Sequence, residues 1–224
     1  MTLLTGTIRK MHPALHHETA DLVPPVRLTQ ADRRARTRAA LLEAAAIGIS
    51  RYGYTNLVLE RVASEAGYSR GAIYHQFANK EELALAVMKW VEETWYQEVG
   101  SRFADEADPV STLLAVARDN SHFTRRDIAR VVAALRAEFD GTEHPVGRAV
   151  DDLVSRVVDD TTRLITAGRK SGAIPPGPPP RTLALAYVGV IEGLGIHLAG
   201  HAPFDVQLAE WAARGVLGLT PGSA

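Results

Sequence analysis

The feature that most constrains this chain is a fixed spacing between two short helical segments. Ala63 is followed four residues later by Gly67 and ten residues later by Ile73. A small residue lets two helices touch, a glycine accepts the positive φ of a tight turn, and an aliphatic residue closes the core between them. The spacing predicts a helix-turn-helix, and the alternative is a plain helical hairpin within a bundle.

The apolar positions on either side of this turn predict which side chains face outward. Leu59, Val62 and Ala63 precede the turn, and Ile73 and Phe77 follow it. When these residues meet, the rest of the second helix faces outward, namely Ser69, Arg70, Ala72, Tyr74, His75 and Gln76. Such a flank fits a DNA major groove, where the first residues of a helix reach base edges and long polar side chains reach phosphates.

Helical periodicity recurs along the rest of the chain, with no alternating strand pattern and no internal repeat. We predict an all-α fold of about nine helices, in which Ser69 and Asn79 cap two helices and Thr55 or Asn56 caps a third. The longer predicted helices span residues 33–52, 57–64, 80–103, 109–123, 126–139, 146–171, 181–200 and 204–219. The predicted domains are a mostly disordered leader (1–30), a helix-turn-helix domain (31–80) and a larger helical domain (81–224).

Charge is distributed unevenly along the chain. Residues 27–80 hold nine basic and four acidic side chains, although the whole chain has a net charge of −1. A basic front on an acidic body favours a polyanionic partner. Four arginines, Arg33, Arg34, Arg36 and Arg38, are candidates for an arm that contacts phosphate or the minor groove, and they are equally compatible with a solvated helix start.

Several functional classes lack their motifs. The chain has no cysteine, no nucleophile elbow, no phosphate-binding loop, no dinucleotide glycine fingerprint and no His-Glu-x-x-His motif. His197 and His201 have no acidic third ligand nearby, and neither do the histidines of residues 12–17. We find no apolar run of about 18 residues and no signal peptide. We therefore predict a cytoplasmic protein that is not an enzyme and has no cofactor, metal or membrane partner.

Residues 41–87 resemble the amino-terminal domain of the tetracycline-repressor (TetR) family of regulators. The matching pieces are Gly53-Tyr54, Val62-Ala63, Ala66-Gly67, Ser69-Arg70-Gly71, Tyr74-His75, Phe77 and Asn79-Lys80-Glu81. The resemblance implies a homodimer that binds a palindromic double-stranded DNA operator and is released by an unknown small-molecule effector. It also implies that the last two long helices, 181–200 and 204–219, form the dimer interface.

The resemblance also assigns roles to individual residues. Ser69, Arg70 and Gly71 match the start of the recognition helix, Tyr74 and His75 match contacts to phosphate and base, and Lys80 matches a phosphate-contacting lysine. Two positions depart from the family pattern. Ala72 replaces a threonine and suits contact with a thymine methyl group, and Leu57-Val58 replaces a hydroxyl pair whose role passes to Thr55 or Asn56. These departures leave open a helical interaction protein whose helix-turn-helix no longer reads DNA.

The larger domain offers candidates for an effector pocket, although aromatic residues of this kind more often belong to the ordinary core. The apolar and aromatic candidates, with one histidine, are Met88, Val91, Trp95, Phe103, His122, Phe123, Leu135, Phe139 and Ile165. Further polar companions are Arg136, Glu138, Glu192 and His197. The sequence does not identify the effector or the operator.

Overall fold

The computed structural model describes residues 29–105, 107–198 and 201–219. Over these ranges the chain forms nine α-helices, two short 3-10 helices and no strand, which confirms the predicted all-α class. The helices are α1 (Gln30–Tyr52), α2 (Leu59–Glu65), α3 (Arg70–Tyr74), α4 (Lys80–Glu98), α5 (Pro109–Phe123), α6 (Arg130–Phe139), α7 (Pro145–Ser171), α8 (Pro180–Leu198) and α9 (Phe204–Val216).

The predicted leader, residues 1–30, lies outside the described residues except at its end. There the prediction is wrong by two residues, because α1 begins at Gln30 and is capped by Thr29. The Thr29 hydroxyl accepts a hydrogen bond from the backbone N–H of Asp32 at 3.1 Å, and the Asp32 carboxylate accepts from the Thr29 backbone at 2.9 Å. This reciprocal capping box satisfies two backbone donors that a helix start would otherwise leave without partners.

The prediction of one helix over residues 80–103 is also wrong. α4 ends at Glu98, and Phe103 lies in the 3-10 helix Gly100–Ala104. A Cβ atom placed on Gly100 would lie 2.5 Å from Cδ1 of Tyr96 and 2.9 Å from Cζ3 of Trp95. The chain therefore turns tightly against two aromatic rings, and only glycine fits there without displacing them.

The segment before α6 is a 3-10 turn that α1 holds through two side chains. The Ser50 hydroxyl donates to the carbonyl of Asp127 at 2.6 Å, and the Asp127 carboxylate pairs with Arg51 at 3.2 Å. Residues Asp127–Ala129 form a 3-10 turn, so α6 begins at Arg130 and not at the predicted residue 126.

Two groups of helices pack around the core. α1 contacts α2, α4 and α6, and α2 contacts α3, whereas α5, α7, α8 and α9 form the larger body. α4 joins the groups because it contacts both α1 and α7. Inside the body, the hydroxyl of the fully buried Tyr187 on α8 donates to the carbonyl of Leu113 on α5. Burial raises the pKa of Tyr187, so the hydroxyl stays protonated and remains a donor.

The expectation that no segment has the character of a membrane span requires a correction. Among the described residues, α8 has the length and composition of one, with a mean hydropathy of 1.2 over an 18-residue window. A core helix has the same composition, and α8 packs against α5, α7 and α9. Of that window 33% is buried. One such helix is weak evidence for a membrane location.

A buried ion pair fixes the start of α9. Asp205 is 4% exposed, and its two carboxylate oxygens each lie 2.8 Å from a nitrogen of the Arg125 guanidinium. The hydrogen bond from Arg125 lowers the pKa of Asp205. Because Arg125 follows α5 directly, this two-pronged pair ties α9 to the end of α5.

We expect Asp205→Asn to reduce the free energy of unfolding by about 1–2 kcal/mol at neutral pH, because it breaks a charge-assisted pair. The pKa of Asp205 is lower in the folded than in the unfolded protein. Its stabilisation is therefore present above the unfolded value of about 4 and is lost as the pH falls below it. The difference in the free energy of unfolding between wild type and variant should therefore become smaller as the pH falls.

Urea unfolding at one protein concentration, at neutral and acidic pH, measures both effects. Asp159→Asn is the matched control, because the ion pair of Asp159 with Arg181 has side chains that are 60% and 57% exposed. Exposed pairs contribute little to stability. Equal destabilisation by the two substitutions would contradict the assignment to the buried pair.

Candidate nucleic-acid interface and internal cavity

The turn between α2 and α3 adopts the predicted geometry. Gly67 has a φ of +76°, and the backbone N–H of Tyr68 donates to the carbonyl of Ala63 at 2.8 Å. Behind the turn, Ala63 is 1% exposed and Ile73 is fully buried. The helix-turn-helix predicted from the spacing is therefore present in the structure.

α3 begins with a side-chain cap and turns its polar flank to solvent. The Ser69 hydroxyl accepts a hydrogen bond from the N–H of Ala72 at 3.3 Å, which confirms the predicted cap. Ala72 itself is half-buried. The other predicted contact residues on this flank are all exposed: Ser69, Arg70, Gly71, Tyr74 and His75.

A carboxylate from α2 holds two of these exposed side chains. Oε1 of Glu60 accepts a hydrogen bond from the Tyr74 hydroxyl at 2.9 Å and lies 3.3 Å from Nε of Arg70. The backbone N–H of Glu60 and the hydroxyl of Tyr74 lower the pKa of this carboxyl. At neutral pH a negative charge therefore stands at the centre of the polar flank. Its role was not predicted from the sequence, although Glu60 is one of only four acidic residues in the basic segment.

The first half of α1 adds positive charge near this flank. Arg33, Arg34, Arg36 and Arg38 are all exposed. The guanidinium carbon of Arg38 lies 4.6 Å from the centre of the Phe77 ring. Because Phe77 packs behind α3, this contact places the basic side of α1 beside the helix-turn-helix. The combined surface can attract a polyanion.

The prediction that Thr55 or Asn56 caps α2 is wrong. The cap position is Val58, which makes no side-chain hydrogen bond to the helix. The Asn56 amide instead donates to the carbonyl of Tyr52 at 2.8 Å, back toward α1. Both residues are exposed in the turn between α1 and α2, and their contact with DNA stays a prediction.

Lys80 lies at the first turn of α4 and contacts the same turn. Its ammonium group donates to the carbonyl of Thr55 at 3.1 Å and lies 4.4 Å from the centre of the Tyr54 ring. Asn79 caps α4 as predicted, since its side-chain oxygen accepts from the N–H of Glu82 at 2.9 Å. The phosphate contact predicted for Lys80 stays a prediction.

α6 touches the turn between α1 and α2 directly. Oε2 of Glu138 accepts a hydrogen bond from the backbone N–H of Thr55 at 3.0 Å. A Cβ atom on Gly53 would lie 2.1 Å from Oε1 of Glu138, so a side chain there would displace the carboxylate. The Tyr54 ring packs edge-on against Phe139 with centroids 5.0 Å apart. The end of α6 therefore fits closely against the helix-turn-helix domain.

A cavity of about 440 Å³ lies on the other side of α6. Its walls come from α4, α5, α6, α7 and α8 and are mainly apolar, including Val91, Phe123, Leu153, Val157 and Ile191. Its polar wall residues are Asn120, Thr124, Arg136, Asp140 and Glu192. A volume of this size suits a small organic molecule.

Three of the predicted pocket residues, Val91, Trp95 and Phe123, line this cavity, as do Arg136 and Glu192. The others lie elsewhere. Met88, Phe103, Leu135 and Ile165 are buried in the core, and His122 is exposed. Phe139 stacks on His144 with centroids 4.2 Å apart.

Sequence reasoning missed Asn120, although a signal was present. It continues the buried stripe Leu113, Val116 and Ala117 at helical spacing, and a polar residue on an apolar stripe is unusual. It also missed the wall residues on α7 and α8, because nothing in a helical pattern distinguishes a core position from a cavity position.

No group of three or more histidine, cysteine or acidic residues suited to a metal ion occurs in the described ranges. The histidines of residues 12–17 lie outside them. His197 and His201 are both exposed.

α8 and α9 both carry large apolar side chains that are exposed. Trp211 is 60% exposed, Phe204 63% and Ile196 53%, with Leu185 and Leu208 also exposed. On α9 these side chains recur at helical spacing, Phe204, Leu208 and Trp211, so they form one stripe. An apolar surface of this extent on a globular protein marks a contact site.

Comparison with known proteins identifies the family that the helix-turn-helix segment matches. Residues 41–87 match the family model described as bacterial regulatory proteins, tetR family. The A-factor receptor protein of Streptomyces griseus is 28% identical over 184 residues, which is 80% of this chain and 62% of that protein. The transcriptional regulator CymR of Pseudomonas putida is 41% identical over 81 residues, 36% of this chain and 39% of that protein. The alignments thus span less than two thirds of both relatives.

Solved structures share the fold. The crystal structure of AibR in complex with isovaleryl coenzyme A and operator DNA superimposes with a TM-score of 0.69 at 24% identity, covering 83% of this chain and all of that one. The shared fold extends well beyond the segment that the family model matches. The helix-turn-helix segment, residues 41–87, therefore matches the tetR family of bacterial regulatory proteins, and the all-helical body behind it shares its fold with AibR.

Proposed function

We propose that this protein is a ligand-responsive transcriptional regulator, a repressor that a small molecule releases from a palindromic operator. The observation that supports this most directly is the exposed polar flank of α3, backed by the buried Ile73 and flanked by the arginines of α1. The protein acts by binding rather than by catalysis, as the regulators that it resembles do. It functions in the cytoplasm, which contains the DNA that it binds.

The flank has the chemistry for a major groove. Ser69 and Arg70 stand at the start of α3, where helix residues reach base edges, and the Arg70 guanidinium suits guanine. Tyr74 and His75 follow within one turn and extend toward the phosphates on either side. The arginines of α1 and Lys80 add contacts to the backbone, which strengthen binding to any DNA sequence.

A second copy of the chain covers the apolar face of α8 and α9. Burying Phe204, Leu208 and Trp211 against their symmetry mates removes a large apolar area from water, which favours association. The dimer presents two α3 helices to successive major grooves, roughly 34–36 Å apart on one side of the duplex.

α6 couples the cavity to the DNA-binding surface. Arg136 and Ala137 line the cavity, and the next residue, Glu138, holds the backbone of Thr55. A ligand that moves α6 therefore moves the support of the helix-turn-helix. To release DNA, it must bind the non-binding arrangement more tightly than the DNA-bound one.

We expect the double variant Tyr74→Ala/His75→Ala to weaken operator binding by about 100-fold or more, because each lost contact is worth about 1–3 kcal/mol. A mobility-shift titration on the DNA upstream of the protein's own gene measures this at several salt concentrations. His122→Ala, an exposed histidine on α5, is the control and should bind as wild type does. Unchanged binding by the double variant would favour a helical interaction protein that no longer reads DNA.

We expect Glu60→Gln to bind DNA about 3- to 10-fold more tightly, whatever the sequence. The substitution removes a negative charge that faces phosphate and competes for Arg70, while the amide oxygen still accepts from Tyr74. The same mobility-shift titration, on operator DNA and on unrelated DNA, measures this change in affinity. Glu65→Gln, an exposed neighbour on α2, is the control. Weaker binding confined to the operator would instead mean that Glu60 positions Arg70 for a base.

We expect Trp211→Glu to convert the dimer to a monomer, because it places a charge at the centre of the apolar face. Light scattering after size-exclusion chromatography measures the mass, and operator affinity should fall with it. Val58→Glu is the matched control, since Val58 is also exposed (48%) but lies on the helix-turn-helix domain. A Trp211→Glu protein that remains dimeric would contradict this interface.

A further inference from the structure

We propose that the cavity takes an uncharged, largely apolar molecule with a carbonyl group, and that the side-chain amide of Asn120 binds that carbonyl oxygen. The inference rests on the proposed function for its biological role, but ligand binding is measurable on the protein alone. Three features of the cavity support this ligand class: a fixed hydrogen-bond donor in its wall, an apolar interior, and charged wall residues that do not attract an anion.

The donor is the amide nitrogen of Asn120. The Asn120 residue is only 7% exposed, and its side-chain oxygen accepts a hydrogen bond from Nε1 of Trp95 at 2.9 Å. An indole N–H can only donate, so this bond fixes which end of the amide faces Trp95. The amide nitrogen must point away from the indole, and no side chain or carbonyl of the described residues accepts from it.

A hydrogen-bond donor in the cavity wall that has no acceptor favours a ligand that brings one. Asn120 lines the cavity beside Trp95 and Phe123, so the amide nitrogen is available to a molecule inside it. A carbonyl oxygen accepts hydrogen bonds and satisfies this donor, whereas a purely apolar ligand leaves it without a partner. An ammonium group brings only donors and cannot pair with it.

The interior selects against charge. Val91, Leu153, Val157, Val188 and Ile191 supply apolar wall from three helices. Transferring an ionised group from water into such a wall is unfavourable unless it finds an opposite charge. The apolar body of the ligand therefore occupies this part of the cavity.

The charged wall residues are at least partly exposed, and among them Arg136 and Glu192 form an ion pair. Arg136 donates to the Glu192 carboxylate at 3.0 Å, and their side chains are 41% and 35% exposed. Asp140, also in the wall, is exposed and adds a further negative charge. The three together carry a net negative charge, so they do not attract a carboxylate ligand.

The volume bounds the size of the molecule. At about 30 Å³ for each water-sized group, a cavity of about 440 Å³ holds roughly 15 such groups. A ketone, ester or amide with ten to fifteen non-hydrogen atoms, as a rough estimate, fits this space. These classes share a carbonyl oxygen and carry no charge.

Isothermal titration calorimetry on the full-length protein without DNA tests the proposal with three probes of similar chain length: 2-decanone, decanoate and decylammonium. We expect 2-decanone to bind most tightly. Absence of 2-decanone binding, or tighter binding of either charged probe, would overturn the ligand class.

Two substitutions test the role of Asn120. Asn120→Asp keeps an oxygen for Trp95 but replaces the donor with an acceptor, and it should weaken 2-decanone binding by about 10-fold or more. If that protein does not fold, as judged by circular dichroism, Asn120→Leu removes the donor without introducing a charge and should weaken binding likewise. Ser121→Ala is the matched control, since Ser121 is 4% exposed on the same helix but does not line the cavity.

Unchanged 2-decanone affinity in a folded Asn120 variant would sink the assignment of the donor. The outcomes are separable from the proposed function. If the protein binds operator DNA but not 2-decanone, the proposed regulator function stands and the proposed ligand class is wrong. If it binds 2-decanone but no DNA, the ligand class stands and the regulator function is wrong.

Discussion

The burial of Ile73 and Phe77 is the constraint on which the rest of the molecule depends. The two residues lie four apart, so they occupy one face of the chain just after the turn, and both pack into the core. Helical geometry then leaves Arg70, Tyr74 and His75 no direction except outward. The turn at Gly67 makes this packing possible, because its positive φ brings α3 back across α2. The exposed polar flank of α3 is thus a consequence of how a small core closes.

Carboxylates organise the connections between the parts of this protein. Glu60 holds Arg70 and Tyr74 on the polar flank of α3, Glu138 holds the backbone of Thr55, and Asp205 ties α9 to the end of α5 through Arg125. Each of these carboxylates lies where a helix meets another segment of the chain. Hydrogen bonds require a defined geometry between donor and acceptor, so each carboxylate fixes how the two segments are oriented. Apolar packing gives the helices their stability, whereas these polar contacts determine how one helix sits against the next.

α6 has a central position in this arrangement because its two sides serve different parts of the molecule. One side forms cavity wall through Val132, Ala133 and Arg136, and its end touches the turn before α2 through Glu138 and Phe139. The helix is only ten residues long and is held at its start by a turn that α1 stabilises. α6 therefore connects the cavity to the helix-turn-helix domain through direct contacts at both of its sides.

The sequence by itself determined the helical class, the helix-turn-helix, its outward flank and the caps at Ser69 and Asn79, because these depend on local spacing and on hydrogen bonds between near neighbours. Only the tertiary structure decided that α4 stops before Phe103, that Val58 rather than Thr55 or Asn56 takes the cap position of α2, and that Glu60 pairs with Arg70 and Tyr74. It alone also decided that Asn120 borders a cavity. These outcomes depend on which atoms from distant segments come into contact, such as Glu138 with Thr55 or Trp95 with Asn120. The periodicity of a single helix holds no information about the side chains of its partners.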